Sequence, residues 1–137
     1  MMKTIILFSI LFSSMIFGQE KNQYADIYFS SKCCGTPSEE KLVSFLKNFK
    51  TQHKIKNIFV YNVCCRGEEG EYSIIIDMRS FSSNEKIKLK EGLKKTQLAY
   101  NEVYKKSREG SIMITYLDDL EAVPYQKKIG KRKIMKF

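Results

Sequence analysis

Four cysteines, arranged as two adjacent pairs, are the residues of this chain with the clearest capacity for chemistry. Cys33-Cys34 and Cys64-Cys65 lie about thirty residues apart. Thiols in such a pattern can form disulfide bonds, hold a soft metal ion as thiolates, or take part in thiol–disulfide exchange. Which of these chemistries applies depends on the cellular compartment of the protein and on where the secondary structure places the two cysteine pairs.

No other arrangement of side chains in the sequence points to catalysis. The chain has one histidine, His53, and it carries no sequence motif of a hydrolase, a metalloprotease or a nucleotide-binding protein. We therefore expect a non-enzymatic protein with no catalytic residues, no cofactor and no resident metal ion.

Residues 1–18 have the composition of a secretory signal peptide. Lys3 precedes an apolar run from residue 5 to residue 12, and the small residue Gly18 stands before the polar residue Gln19. The apolar run is about half of the roughly 20 residues that a membrane span requires. We expect cleavage near Gly18 and a mature protein in the periplasm or outside the cell, where disulfide bonds are favoured over free thiols.

The pattern of apolar residues after the signal peptide predicts one domain, residues 19–126, with six elements in the order β-α-β-β-α-β. This order is typical of an α+β, ferredoxin-like sandwich, in which a four-stranded antiparallel sheet of spatial order 4-1-3-2 carries two helices on one face. A competing arrangement places the third strand at an edge. Strands are predicted over 24–29, 55–65, 71–81 and 111–117, and helices over 37–52 and from 82 to Gly110.

Capping signals mark the start of both predicted helices. Thr36 followed by Pro37 and Glu39 predicts the start of the first helix, and Ser82 followed by Glu85 predicts the start of the second. We expect Gly110 to end the second helix as a left-handed cap. The apolar stripe of the second helix is predicted to consist of Leu89, Leu93, Thr96, Tyr100 and Val103.

The predicted topology brings the two cysteine pairs to the same end of the sheet. Strands one and two run parallel with strand three between them, so their axes are about 10 Å apart. A disulfide needs Cα atoms about 4.4–6.8 Å apart, and the loop that carries Cys33-Cys34 can cross this gap. Since neighbours in a regular strand point to opposite faces, Cys64 and Cys65 need a bulge or loop to reach the first pair. We expect bridges between the pairs rather than two strained vicinal bridges.

A thiolate site for zinc or copper(I), or a thiol-redox function, is the alternative use of Cys33, Cys34, Cys64 and Cys65. The position of the first pair, between strand one and helix one, resembles that of the metal-binding loop in the heavy-metal-associated domains. Those domains are ferredoxin-like and bind copper or mercury through Cys-x-x-Cys, whereas this chain has two adjacent cysteines without a spacer.

The sheet face that points away from the helices is predicted to bind a partner. Strand alternation gives this face several aromatic side chains, which suit a protein partner, a second copy of the chain or the chain's own folded-back C-terminal tail. Export argues against a nucleic acid as the ligand. If Ile74, Ile76 and Met78 face the helices, the predicted face consists of Tyr28, Phe59, Tyr61 and Ile75. The reversed alternation would instead place these aromatic residues in the core.

The formal charge of +9 is concentrated at the C-terminus. Residues 19–126 contain 17 basic and 15 acidic residues, so the domain is nearly neutral and its charge does not indicate nucleic-acid binding. Residues 127–137 are expected to form a solvated basic tail or to contact an anionic membrane or an acidic partner weakly. The basic residues of this tail are Lys127, Lys128, Lys131, Arg132, Lys133 and Lys136.

Overall fold

The protein is an α+β domain with two helices and one antiparallel sheet. The computed structural model describes residues 22–106, 110–123 and 125–137. The predicted signal peptide lies outside the described residues. The elements are β1 (Tyr24–Phe29), α1 (Glu40–Gln52), β2 (Phe59–Val63), β3 (Tyr72–Asp77), α2 (Ser83–Tyr104), β4 (Ile112–Leu117) and β5 (Lys133–Ile134).

The sheet has five strands in the order β4-β1-β3-β2-β5. All neighbouring strands are antiparallel. The expectation of four strands was wrong, because the basic C-terminal residues add β5 to the edge of β2 through Phe59↔Ile134 and Val60↔Lys133. Since β3 lies inside the sheet, the arrangement with this strand at an edge is excluded.

Both helices pack on one face of the sheet. Ile27 and Phe29 of β1 form one core cluster with Leu46 of α1 and Leu93 of α2. On β3, Ile74 and its second neighbour Ile76 join the same cluster, as the alternation predicted. The largest fully buried side chains of the described residues are therefore mostly those between helices and sheet.

The capping box predicted at the start of α1 is not formed. The helix begins at Glu40 rather than at Pro37, and no side chain of the residue before it caps its N-terminus. Instead, the backbone N–H of Leu42 donates to the hydroxyl of Tyr100 at 3.2 Å, and this hydroxyl donates to the carbonyl of Ser38 at 2.5 Å. A side chain from α2 thus satisfies groups at the start of α1. The predicted capping box of Ser82 and Glu85 at the start of α2 is confirmed.

The end of α2 also differs from the prediction. The helix ends at Tyr104, and Val103 is exposed rather than part of the buried stripe. The helix therefore ends before Gly110, the residue expected to cap it. A Cβ atom at Gly110 would instead collide with the carbonyl oxygen of Ser30, so glycine is needed there for the close approach of the chain to the end of β1.

Strands β2 and β3 are shorter than predicted. β2 begins at Phe59 because Ile55 still bonds the carbonyl of Lys50 at the end of α1, and it ends at Val63 because Cys65 has a left-handed backbone, with φ of 57°. The last residues predicted for β3 form a turn, in which Phe81 N–H donates to Met78.

Candidate functional site

The two cysteine pairs follow strands that end on the same side of the sheet. β1 and β2 both pair antiparallel with β3, with Phe29 opposite Tyr72 and Val63 opposite its neighbour Ser73. The chain continues from Phe29 into the loop with Cys33-Cys34, and from Val63 directly into Cys64-Cys65. We call these segments, residues 30–35 and 64–71, the two cysteine loops.

A side-chain hydrogen bond ties the two cysteine loops to each other. Ser31 Oγ donates to Glu69 Oε2 at 2.7 Å and accepts from the N–H of Gly35 at 3.3 Å. Within the second loop, the N–H of Arg66 donates to the carbonyl of Glu71 at 2.8 Å. Each loop therefore contains an internal hydrogen bond, and Ser31 connects one loop to the other.

The sulfur contacts join neighbours within each pair. Cys33 Sγ and Cys34 Sγ are 2.9 Å apart, and the side chains of Cys64 and Cys65 share a hydrogen bond. This arrangement differs from the opposite orientations of a regular strand, because β2 ends before Cys64 and the left-handed backbone of Cys65 turns the chain. All four cysteines are exposed and none of them is in a disulfide bond in this structure, so the bridges expected between the pairs are not formed here.

The contact within each pair also affects the acidity of the thiols. The hydrogen bond with Cys34 raises the pKa of the Cys33 thiol, and the hydrogen bond with Cys64 raises the pKa of the Cys65 thiol. A raised pKa keeps the thiol protonated near neutral pH, and the protonated form is a poor nucleophile and a poor metal ligand. Among the residues that the structure describes, no group of three or more His, Cys, Asp or Glu side chains is arranged to hold a metal ion.

The residues predicted to bind a partner lie on the sheet face opposite the helices, which we call the outer face. Ile75 is completely buried there in a second apolar cluster, against which Tyr61 packs. Val123 belongs to this cluster and Ile129 packs against it, so residues 118–137, which we call the C-terminal segment, cover part of the outer face.

The two remaining predicted residues of the outer face each lie under an arginine. The guanidinium carbon of Arg66 is 4.4 Å from the ring centroid of Tyr28, and that of Arg132 is 3.6 Å from the ring centroid of Phe59. Both distances are typical of cation–π contacts. The outer face is therefore covered by the protein's own side chains over much of its area.

Two buried carboxylates hold these arginines, and the sequence reasoning did not single them out. Arg66 Nη1 lies 2.9 Å from Asp26 Oδ2, and Asp77 accepts from Arg79 at 2.7 Å and from Arg132 at 2.8 Å. The signal was available, because each aspartate is the one charged residue within an apolar strand.

The two carboxylates differ in the number of arginines that bind them. Burial raises the pKa of Asp77, but the hydrogen bonds from Arg79 and Arg132 outweigh this effect and hold the pKa below its ordinary value. Asp26 depends on Arg66 alone for its ion pair, and its Oδ1 and Arg66 Nε have no hydrogen-bond partner within the described parts of the chain.

The basic residues of the C-terminal segment do not form a solvated extension. Lys128 Nζ donates to the carbonyl of Cys65 at 2.5 Å, Arg132 binds Asp77, and Lys133 lies in β5. This segment therefore has partners on the second cysteine loop and on the sheet, although all six of its basic residues are exposed. Within the described residues, the basic side chains without a hydrogen bond, ion pair or ring contact are those of Lys127, Lys131, Lys133 and Lys136.

Comparison of the chain with protein-family models, with curated proteins and with solved structures finds no match. Within residues 22–106, 110–123 and 125–137, no helix combines the length and the apolar composition that a membrane crossing requires.

Proposed function

We propose that the protein is a small exported, non-enzymatic domain that binds a partner and whose two cysteine loops are joined by disulfide bonds. The observation that carries this proposal is the hydrogen bond between Ser31 and Glu69, which holds together two exposed loops with a cysteine pair in each. The order of the elements and the central position of β3 favour the ferredoxin-like topology for the domain.

A bridge between the loops has a clear energetic advantage for a domain of this size. Linking Cys34 to Cys64, for example, closes a loop of about thirty residues, which stabilises the folded state by about 3–4 kcal/mol in the chain-entropy model. A vicinal bridge closes no such loop.

The outer face is the proposed site for the partner. Tyr28, Phe59 and Tyr61 are partly exposed, whereas Ile75 is fully buried and becomes accessible only if the C-terminal segment moves. A protein partner fits this mixture of aromatic and arginine side chains, since both residue types are enriched in protein interfaces. The exposed lysines of the C-terminal segment offer an additional weak contact to an anionic membrane.

A second candidate function is thiol-redox chemistry or the binding of a soft metal ion. The close contact of the sulfur atoms within each pair favours this candidate, because two adjacent thiols that already touch can chelate an ion or be oxidised together. It requires that the thiols lose their protons, which the raised pKa values of Cys33 and Cys65 oppose.

The mass of the exported protein separates the two candidates. We expect protein that is collected from the periplasm, with free thiols alkylated before any reduction, to carry no alkyl groups and to be lighter than the reduced chain by about 4 Da, two hydrogens for each bridge. Alkylated thiols in all four positions, with copper or zinc bound stoichiometrically before alkylation, would contradict the proposal. The matched control replaces Cys33 and Cys34 by serine and should leave Cys64 and Cys65 open to alkylation if the bridges join the loops.

A further inference from the structure

The two edges of the sheet differ in whether another part of the chain covers them. The edge of β2 is covered by the C-terminal segment, through β5, through the bridge between Val63 and Ile129, and through a hydrogen bond from Met135 N–H to the carbonyl of Ile58 at 2.8 Å. The edge of β4 has no neighbouring strand among the described residues. An open edge strand is a template for pairing with another chain unless charge, proline or a bulge protects it.

Backbone hydrogen bonds show which groups of β4 point outward. The carbonyl of Leu117 accepts from the N–H of Gln23, just before β1, and the carbonyl of Ser111 accepts from the N–H of Ser30, just after it. The odd-numbered residues of this stretch are therefore bonded within the sheet. The even-numbered residues Ile112, Ile114 and Tyr116 therefore present their N–H and C=O groups to the outside.

Of these three residues, only Ile112 has hydrogen-bond partners for its outward backbone groups within the described residues. The N–H of Ile112 donates to Asn101 Oδ1 at 3.3 Å, and its carbonyl accepts from Gln97 Nε2 at 3.3 Å. For the outward groups of Ile114 and Tyr116, the described portion of the chain provides no partner. Side chains of α2 thus close one end of the edge and leave the rest open.

The open part of β4 is complementary to itself. If a second copy is placed antiparallel about a two-fold axis at Thr115, Ile114 lies opposite Tyr116 of the second copy, and the two outward pairs form reciprocal backbone hydrogen bonds. Met113, which is 58% exposed, then lies opposite Leu117 of the second copy on the outer face. No residue of β4 is charged and none is proline, so nothing in the strand opposes this pairing.

The helix layer adds an apolar contact beside this edge. Leu98 is 57% exposed, and it lies three residues before Asn101, on the side of α2 that reaches the edge of β4. Exposed apolar side chains therefore lie beside this edge on both faces of the sheet, Leu98 on the helix side and Met113 on the outer face.

We infer that the free edge of β4 binds the same edge of a second copy of this chain about a two-fold axis at Thr115, which joins two five-stranded sheets into one continuous sheet. This inference goes beyond the proposed function, because it assigns a second contact surface, the edge of β4, apart from the outer face proposed for the partner. It does not depend on the cysteines, so a monomeric protein with bridged loops would overturn the dimer and leave the proposed disulfides in place.

The test measures the association of the full mature chain by sedimentation equilibrium, together with amide hydrogen exchange of Ile114 and Tyr116. We expect a dimer in which these two amides become protected as the protein concentration rises. Thr115→Lys places two like charges opposite each other at the two-fold axis and should raise the dissociation constant by about tenfold or more. Since Thr115 is exposed, the variant should keep the fold and the unfolding midpoint of the monomer.

Two control variants show whether an effect on the dissociation constant comes from a charge at the β4 edge or from an added charge anywhere on the surface. Thr115→Val keeps the branched shape without the charge and should leave the dissociation constant unchanged. Ser44→Lys adds the same charge to the exposed surface of α1 and should also have no effect. A chain that stays monomeric at about 1 mM, the weak end of measurable affinities, would overturn the inference. So would a dimer that Thr115→Lys does not weaken, or one in which the two amides stay unprotected.

Discussion

The ion pair between Arg66 and Asp26 anchors the second cysteine loop to the sheet, and replacing Arg66 by methionine tests this anchor. The side chains are 11% and 6% exposed, so this is a buried pair, and Asp26 has no second cation among the described residues. Removing one partner of a buried ion pair leaves the other charge uncompensated and costs about 3–5 kcal/mol. The loss is large against a total stability of about 5–15 kcal/mol for a domain.

Urea denaturation followed by circular dichroism measures this cost. With a slope of about 2 kcal/mol/M, the midpoint of Arg66→Met should fall by about 2 M. The double variant Asp26→Val and Arg66→Met removes both charges, and valine suits the apolar strand, so much of the loss should be recovered. The matched control is Arg79→Met, for which we expect about 1 kcal/mol, because Arg79 is 46% exposed and Asp77 keeps Arg132. A cost below about 1 kcal/mol for Arg66→Met, or a double variant no more stable than the single one, would refute the reasoning.

Two other variants test buried features of the fold. Asp77→Asn should lower the free energy of unfolding by about 2–3 kcal/mol near neutral pH, since it removes charge-assisted hydrogen bonds to two arginines. Because the pKa of Asp77 is lowered in the folded state, its contribution is present above the unfolded value of about 4 and is lost as the pH falls through the lower folded value. A pH series of unfolding curves should therefore show a smaller acid-sensitive loss for the variant, and equal losses would contradict this. Gly110→Ala forces a Cβ atom onto the Ser30 carbonyl and should cost about 3 kcal/mol, a fall of about 10 °C in Tm by calorimetry; an unchanged Tm would show that the close approach is not required.

The sequence predicted correctly those elements whose formation depends only on residues close together in the chain. β1 spans the predicted residues because the strand consists almost entirely of apolar and aromatic residues. α2 starts directly after its predicted cap Ser82, because both partners of the capping box lie within four residues of each other. Alternation predicted that Ile74 and Ile76 share one face of β3, and the structure shows that this face packs against the helices. Such features need no knowledge of distant residues.

The features that the sequence did not reveal depend on residues far apart in the chain. The start of α1 is set by the hydroxyl of Tyr100, about sixty residues away. β5 forms in a basic stretch without strand character because Arg132 reaches Asp77 and Met135 reaches the main core. The contact of the sulfur atoms within each cysteine pair follows in part from the left-handed backbone of Cys65, a conformation that a non-glycine residue seldom adopts.

The central claim, that bonds between the cysteine pairs join the two loops, is tested most directly by a peptide map of the unreduced exported protein. Trypsin cuts after Lys32 and Lys41 and again after Lys56 and Arg66, so each cysteine pair is released on its own short peptide. We predict that peptides 33–41 and 57–66 are recovered as one covalently joined species that reduction separates. Recovery of the two peptides as separate species, whether with vicinal bridges or with free thiols, would contradict the account.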